Sequence, residues 1–175
     1  MYICYDSTTP EVIPKDAQVV AGYAGGSWHT YPYIQANFPH AYRIEIAVNA
    51  GEKGHCLDVE NGDATPDEAP GWIKEMEAEG IHRPMLYASA WTWGQIIPLL
   101  TKARVGRFHY RRWVAAPNGL KIAAQWLAAG YDACQFDWHY LGLNLDASLC
   151  LPSFLDGGHH TPAPLPLPPI LPPPH

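Results

Sequence analysis

The sequence carries little charge, and most of the charge it has is acidic. Only 16% of its 175 residues are charged, and 17 Asp and Glu against 11 Lys and Arg give a formal net charge of -6. Proteins that bind nucleic acid or anionic lipid normally present a basic surface to these polyanions. We therefore expect no nucleic-acid partner for this chain.

Long apolar runs are also absent. No stretch of the sequence reaches the length of a membrane span, and the first residues lack the basic region and apolar run of a secretion signal. We expect no membrane insertion and no signal peptide.

The four cysteines include no Cys-x-x-Cys pair. This absence argues against a structural zinc site and against a thioredoxin-like redox pair. Because free cysteine is among the most buried residue types, we predict that Cys4, Cys56, Cys134 and Cys150 are small buried thiols rather than a disulfide framework.

Apolar strand patterns alternate with helical patterns along most of the chain. Strands are predicted at 2–5, 18–23, 43–48, 54–60, 85–88, 108–115, 133–136 and 143–146, and helices at 31–38, 65–79, 91–102 and 120–129. This alternation is typical of parallel β/α architecture, and about eight strands indicate a barrel. We predict an α/β fold, a TIM-like (β/α) barrel with shortened or missing helices, over residues 1–156.

The C-terminal stretch has a different composition. Eight prolines fall in the last fifteen residues, with no period that would let the segment pack. We predict that residues 157–175 form a Pro-rich tail or linker that contacts another module or protein.

Two acidic residues stand two positions apart at the end of the fourth predicted strand. Side chains at positions i and i+2 of a strand leave the same face, so Asp58 and Glu60 are expected to share one space. Each carboxylate disfavours ionisation of the other, and burial disfavours both. One group can then donate a proton while the other stays anionic, as glycoside hydrolysis requires.

Two further acids are predicted at the same end of the barrel. In a β/α barrel the site is built from the carboxyl ends of the strands and the loops that follow them. Asp6 closes the first predicted strand and Asp146 closes the last. Because the first and last strands are neighbours in a closed barrel, we expect Asp6 and Asp146 to lie side by side.

With these residues in place, the chain resembles the family 25 glycoside hydrolases, the muramidase-type lysozymes. The resemblance is carried by Asp6, Leu57-Asp58-Val59-Glu60, Arg83-Pro84-Met85-Leu86-Tyr87, Trp113-Val114-Ala115, and Gln135-Phe136 followed by Leu145-Asp146. The chain also looks like lysozyme-like domains of actinobacteria and their phages, in which Asp-Val-Glu and a closing Asn-Leu-Asp-x-Ser recur.

The resemblance implies cleavage of the β-1,4 bond between N-acetylmuramic acid and N-acetylglucosamine in peptidoglycan. Glu60 would be the general acid that protonates the leaving oxygen. Asp58 would stabilise the positively charged oxocarbenium or oxazolinium species, with the acetamido group of the substrate as nucleophile. Asp6 and Asp146 would hold Glu60 protonated.

Aromatic and polar side chains near the strand ends are the predicted substrate-binding residues. The resemblance implies that Tyr87 and Trp113 line the sugar cleft. Tyr23 and Trp138 are further candidates, since flat amphipathic rings at strand ends can stack on sugar faces. Gln135, which carries part of the resemblance, is the polar candidate. The tryptophans on predicted helices are expected to pack against the barrel instead; these are Trp72, Trp91, Trp93 and Trp126.

The expected partner is therefore the glycan strand of peptidoglycan, and no cofactor or metal is expected. Without a signal peptide, the protein would stay in the cytoplasm until release to the bacterial cell wall, or would be carried on a virion.

The sequence leaves two alternatives open. The first is a catalytically silent domain that binds the cell wall or forms part of a virion. The second is a divalent-metal-dependent hydrolase in which Asp6, Asp58, Glu60 and Asp146 hold the ion, because oxygen ligands suit magnesium or calcium.

Overall fold

An eight-stranded α/β barrel is the centre of the structure, a computed structural model that describes residues 1–156. The barrel closes in chain order through β1 Tyr2–Asp6, β2 Val19–Tyr23, β3 Tyr42–Ala47, β4 Cys56–Asp58, β5 Met85–Ser89, β6 Arg111–Ala115, β7 Ala133–Asp137 and β8 Asp146–Cys150. The helices are α1 Tyr31–Asn37, α2 Ala69–Ala78, α3 Ala90–Lys102 and α4 Leu120–Ala128. The predicted α/β barrel is confirmed at this level.

The last strand runs in the opposite direction to its neighbours. Strands β1 to β7 pair in parallel, whereas β8 is antiparallel to both β1 and β7. The predicted final strand at 143–146 was wrong: β8 begins at Asp146 and continues to Cys150. Asp146 is therefore the first residue of its strand. The reversal brings it to the same end of the barrel as Asp6.

The helical layer is incomplete, as expected. Within residues 1–156, the β1–β2 connection contains only a 3-10 turn at Pro10–Val12, and the segment between β3 and β4 contains no helix. The helix after β2, α1, has seven residues. It packs closely on β2 at Gly22, where an added Cβ would lie 2.8 Å from Ile34 Cγ1.

Helix α2 starts four residues later than predicted. At the predicted start, Glu68 accepts hydrogen bonds from the Thr65 amide and hydroxyl, at 2.8 and 2.7 Å. That contact closes a turn ahead of the helix. The helix itself begins at Ala69, with Pro70 in its first turn, where proline is tolerated because the first amides have no intrahelical acceptor.

Two apolar layers hold the barrel together. Inside it, Cys4, Cys56 and Trp113 are fully or almost fully buried, and Phe154 closes the end at which β6 begins. Between the strands and the helices, Trp72 and Trp93 are buried as predicted. All four cysteines are buried free thiols, which confirms that prediction.

The predicted Pro-rich tail, residues 157–175, lies outside the described residues. Within the part that is described, no helix has the length and apolar character needed to cross a membrane.

Candidate functional site

Asp6 and Asp146 face each other across the seam between β1 and β8. They are directly opposite residues in the antiparallel pair, an arrangement that puts both side chains on the same face of the sheet. The neighbouring loops fix this register: Ser7 Oγ donates to the Asn144 carbonyl oxygen at 2.5 Å, and Asn144 Nδ2 donates to Thr8 Oγ1 at 2.9 Å. The predicted side-by-side placement is confirmed, although through an antiparallel strand.

Asp58 is the last residue of β4 and lies beside Tyr87 of β5. Its side chain is only 5% exposed, and Asp58 Oδ1 has no hydrogen-bond partner among the described residues. We call the barrel end that holds Asp6, Asp58 and Asp146 the acid rim. It consists of the carboxyl ends of the parallel strands together with the start of β8.

Glu60 lies just beyond β4, which is shorter than predicted and ends at Asp58. It is half-buried, whereas Asp58 is buried. A tight turn follows: the Asp63 amide donates to the Glu60 carbonyl at 3.1 Å, and the Ala64 amide donates to the Asp58 carbonyl at 3.2 Å. This turn brings a fifth carboxylate, Asp63, close to the pair.

Burial is the main reason why the acids at this rim are hard to ionise. It raises the pKa of Asp58 to about 8, with smaller contributions from Glu60 and Asp63. It raises the pKa of Asp146 to about 6. The pKa of Asp6 is raised well above its ordinary value, by burial first and then by Asp146 and Asp58.

The pKa of Glu60 is also raised, but not by the residues that were expected to raise it. Asp6 and Asp146 were predicted to keep Glu60 protonated. Burial, which was also expected to act, has the largest effect, and the charge of Asp63 follows. Asp63 was missed because a turn, and not a strand or a family motif, brings it to the site.

Tyr87 and Gln135 form a polar pair inside the acid rim. The Tyr87 hydroxyl donates to Gln135 Oε1. Gln135 is 1% exposed, and its Nε2 has no hydrogen-bond partner among the described residues, yet it lies near enough to lower the pKa of Asp146. Tyr87 is half-buried, and burial and then Glu60 raise the pKa of its phenol, which keeps it a neutral donor.

Tyr23 ends β2 and also reaches the carboxylates. Burial, followed by the charges of Asp6 and Asp58, raises the pKa of its phenol well above the ordinary value. Tyr23 therefore lies with the acids, as predicted.

Trp113 does not line an open cleft. It is 1% exposed and stacks edge-on beneath Tyr87, with ring centroids 5.1 Å apart. Its Nε1 donates to Ser148 Oγ at 2.9 Å. The expected sugar contact of Trp113 is corrected to a supporting role, because its inward position on β6 directs the indole into the barrel.

Three exposed tryptophans surround the acid rim. Trp28 is 56% exposed after β2, Trp138 is 54% exposed after β7, and Trp91 is 82% exposed at the start of α3, directly after β5. The prediction that Trp91 packs against the barrel was wrong. It lies on the solvent side of α3, whereas Trp93, two positions later, is buried.

A groove leads from Glu60 to Trp91. It has a volume of about 320 Å³ and lies between the turn after β4 and the first turns of α3. The polar side chains along it include Asn61, Asp63 and Gln95.

A metal-dependent site would need several ligands gathered around one ion. Across residues 1–156, no group of three or more His, Cys, Asp or Glu side chains is arranged to hold a metal ion. The carboxylates of the acid rim lie beside the Tyr87–Gln135 pair.

No protein-family model, curated protein or solved structure matches this chain.

Proposed function

We propose that this protein is a peptidoglycan hydrolase that cleaves the β-1,4 bond between N-acetylmuramic acid and N-acetylglucosamine. One observation carries the proposal: carboxylates with raised pKa values meet at one end of a closed barrel and are surrounded by exposed tryptophans. Protonated acids supply proton transfer, and flat aromatic rings bind sugar faces. On this proposal the fold is a variant of the TIM-like (β/α) barrel with a reversed last strand.

Glu60 is the proposed general acid. It is half-buried at the mouth of the groove, so a glycosidic oxygen can reach it, and its raised pKa favours the protonated form that can donate. Asp58, behind it, is too buried to be reached as easily.

Asp58 is the proposed stabiliser of the sugar cation. With a pKa of about 8, it is mostly protonated at neutral pH before the reaction. A positive charge forming beside a carboxyl group lowers its pKa. As the oxocarbenium or oxazolinium species forms, Glu60 gives its proton to the leaving oxygen, and the proton of Asp58 passes to the Glu60 carboxylate. The negative charge left on Asp58 then stabilises the cation more strongly than the neutral substrate.

The remaining residues hold this arrangement. Asp6 and Asp146 ensure that the carboxyl groups of the site are not all ionised at once, since neighbouring carboxylates disfavour each other's charge. Tyr87 is held by its hydrogen bond to Gln135 Oε1, the Gln135 amide nitrogen is available to the Asp146 carboxylate, and Tyr23 lies beside the acids. Trp138 offers a stacking surface on the β7 side.

The test measures the release of reducing ends and the loss of turbidity with purified actinobacterial peptidoglycan, from pH 4 to 8. The intact protein should be active and Glu60→Gln should lose nearly all activity. The matched control is Glu75→Gln on the exposed side of α2, which should retain full activity. Activity retained in Glu60→Gln would contradict the proposed proton donor.

The same assay separates the two alternatives. A silent cell-wall-binding or virion domain would pellet with the wall without releasing reducing ends. A metal-dependent hydrolase would lose its activity after dialysis against EDTA and regain it with magnesium or calcium. The proposed hydrolase is indifferent to EDTA. Addition of the purified protein to intact cells also tests whether it acts from outside, as a lysin or virion enzyme would.

A further inference from the structure

The groove between Glu60 and Trp91 is a continuation of the acid rim on the β4–β5 side. Its residues come from the turn after β4 and from the start of α3, which follows β5. At about 320 Å³ it is at the small end of the range for small-molecule sites, which is roughly 300–1,000 Å³. A single sugar unit is the appropriate size of occupant.

The groove combines a flat apolar surface with uncharged hydrogen-bonding groups. Trp91 is 82% exposed, an unusual state for the largest apolar side chain. Gln95 lies four residues further along α3, on the same side of the helix as Trp91, and is also exposed. Asn61 supplies a second amide from the opposite wall.

The charges in the groove restrict what can bind there. Glu60 and Asp63 line it, and none of the described residues that line it is Lys or Arg. With Glu60 protonated, a sugar with a carboxylate would still meet the Asp63 carboxylate without a compensating cation, which is unfavourable. N-acetylmuramic acid carries such a carboxylate on its lactyl group, whereas N-acetylglucosamine is uncharged.

We propose that this groove is the binding subsite for the uncharged sugar, N-acetylglucosamine, with its ring stacked on Trp91 and its polar groups bonded to Gln95 and Asn61. The assignment rests on the proposed function. It sets the direction of the glycan strand: the N-acetylglucosamine next to the cleaved bond extends from Glu60 toward α3, and the muramic acid unit lies on the other side of the carboxylates.

Equilibrium binding to an inactive protein tests the subsite without relying on catalysis. The background is Glu60→Gln, and the probe is chitotetraose, a neutral chain of four N-acetylglucosamine units, measured by calorimetry. Adding Trp91→Ala should weaken binding about tenfold, because the stacking surface is lost. Adding Gln95→Ala should weaken it between about twofold and tenfold, the effect of one hydrogen bond.

The matched control is Phe108→Ala. Phe108 is 87% exposed and lies just before β6, at the opposite end of the barrel. Its removal should leave chitotetraose binding unchanged. Equal binding with and without Trp91, or equal weakening by Phe108→Ala and Trp91→Ala, would overturn the subsite.

The choice of sugar is tested by tryptophan fluorescence. The Trp91 signal is the difference between the Glu60→Gln protein and the Glu60→Gln/Trp91→Ala protein. N-acetylglucosamine should change this signal, and N-acetylmuramic acid at the same concentration should not. An equal response to both sugars would overturn the assignment of an uncharged occupant.

Failure of the subsite and failure of the proposed function give different results. If the intact protein cleaves peptidoglycan but Trp91→Ala does not weaken chitotetraose binding, the subsite is wrong and the function stands. If the intact protein releases no reducing ends but chitotetraose binding depends on Trp91, the groove is a sugar site in a protein that is not a hydrolase.

Discussion

Replacing Asp58 by Asn should make the folded protein more stable at pH 8 and leave its stability nearly unchanged at pH 4. Asp58 is 5% exposed, has one oxygen without a hydrogen-bond partner among the described residues, and has a pKa of about 8. In the unfolded chain its pKa returns to the ordinary 3.8. Between pH 3.8 and about pH 8, Asp58 is ionised in the unfolded chain. The folded protein must therefore either keep Asp58 protonated or bury its negative charge.

The sign follows from proton linkage. From about pH 4 to pH 8, the folded state binds more protons at Asp58 than the unfolded state does, so the free energy of unfolding falls as the pH rises. Each pH unit of this interval costs about 1.4 kcal/mol, which gives an upper limit of about 6 kcal/mol. We expect about 1–3 kcal/mol, because water and side-chain relaxation reduce the penalty for buried charges.

The assay is urea unfolding of the two proteins at pH 4, 6 and 8, with the midpoint and slope fitted at each pH. Asp67→Asn is the control: Asp67 is exposed in the loop before α2, and its replacement should leave stability unchanged at every pH. An Asp58→Asn protein that is less stable than the parent at pH 8, or whose gain in stability does not depend on pH, would refute the reasoning. The gain should be accompanied by loss of activity, since stability is given up at functional sites.

Two further predictions concern the turn after β4 and the contact between α1 and β2. Replacing Asp63 by Asn removes a negative charge that raises the pKa of Glu60, so the alkaline limb of the kcat/KM profile should move to lower pH. An alkaline limb at the same pH in both proteins would show that Asp63 does not affect the proton donor. Replacing Gly22 by Ala puts a methyl group 2.8 Å from Ile34 Cγ1 and should destabilise the protein by about 1–3 kcal/mol in urea unfolding. Gly71→Ala, which meets no atom within 4 Å, is its control, and equal stability of the two variants would contradict the close packing of α1 on β2.

The sequence predicted the barrel and its carboxylates best where the pattern of a segment agreed with the known geometry of β/α barrels. The alternation of apolar strands and helices predicts a parallel β/α barrel, and the closure of a barrel predicts that Asp6 and Asp146 meet. The direction of β8 could not be predicted, because the residue pattern of a strand of five residues does not say in which direction it runs. Only the pairing with β1 and β7 decides it.

The tryptophans show a second limit of sequence reasoning. Trp91 and Trp93 are both in α3, two positions apart, and positions i and i+2 of a helix face different directions. One indole is therefore buried and the other exposed, but the sequence alone does not say which. Asp63 was missed for a related reason: the backbone bonds of the turn after β4 bring it to Glu60, and no motif marks that turn.

The reversed last strand also decides where the described chain leaves the barrel. Because β8 starts at the acid rim, it ends at the opposite end, where Arg111 Nη1 donates to the Phe154 carbonyl at 2.8 Å and Arg83 lies 3.7 Å from Asp156. Had β8 been parallel to β1, the chain would have left beside the carboxylates. A reporter or affinity tag fused after Asp156 would therefore start from the far side of the barrel. Immobilising the protein through such a tag should leave the acid rim and the Trp91 groove open to a large, insoluble substrate.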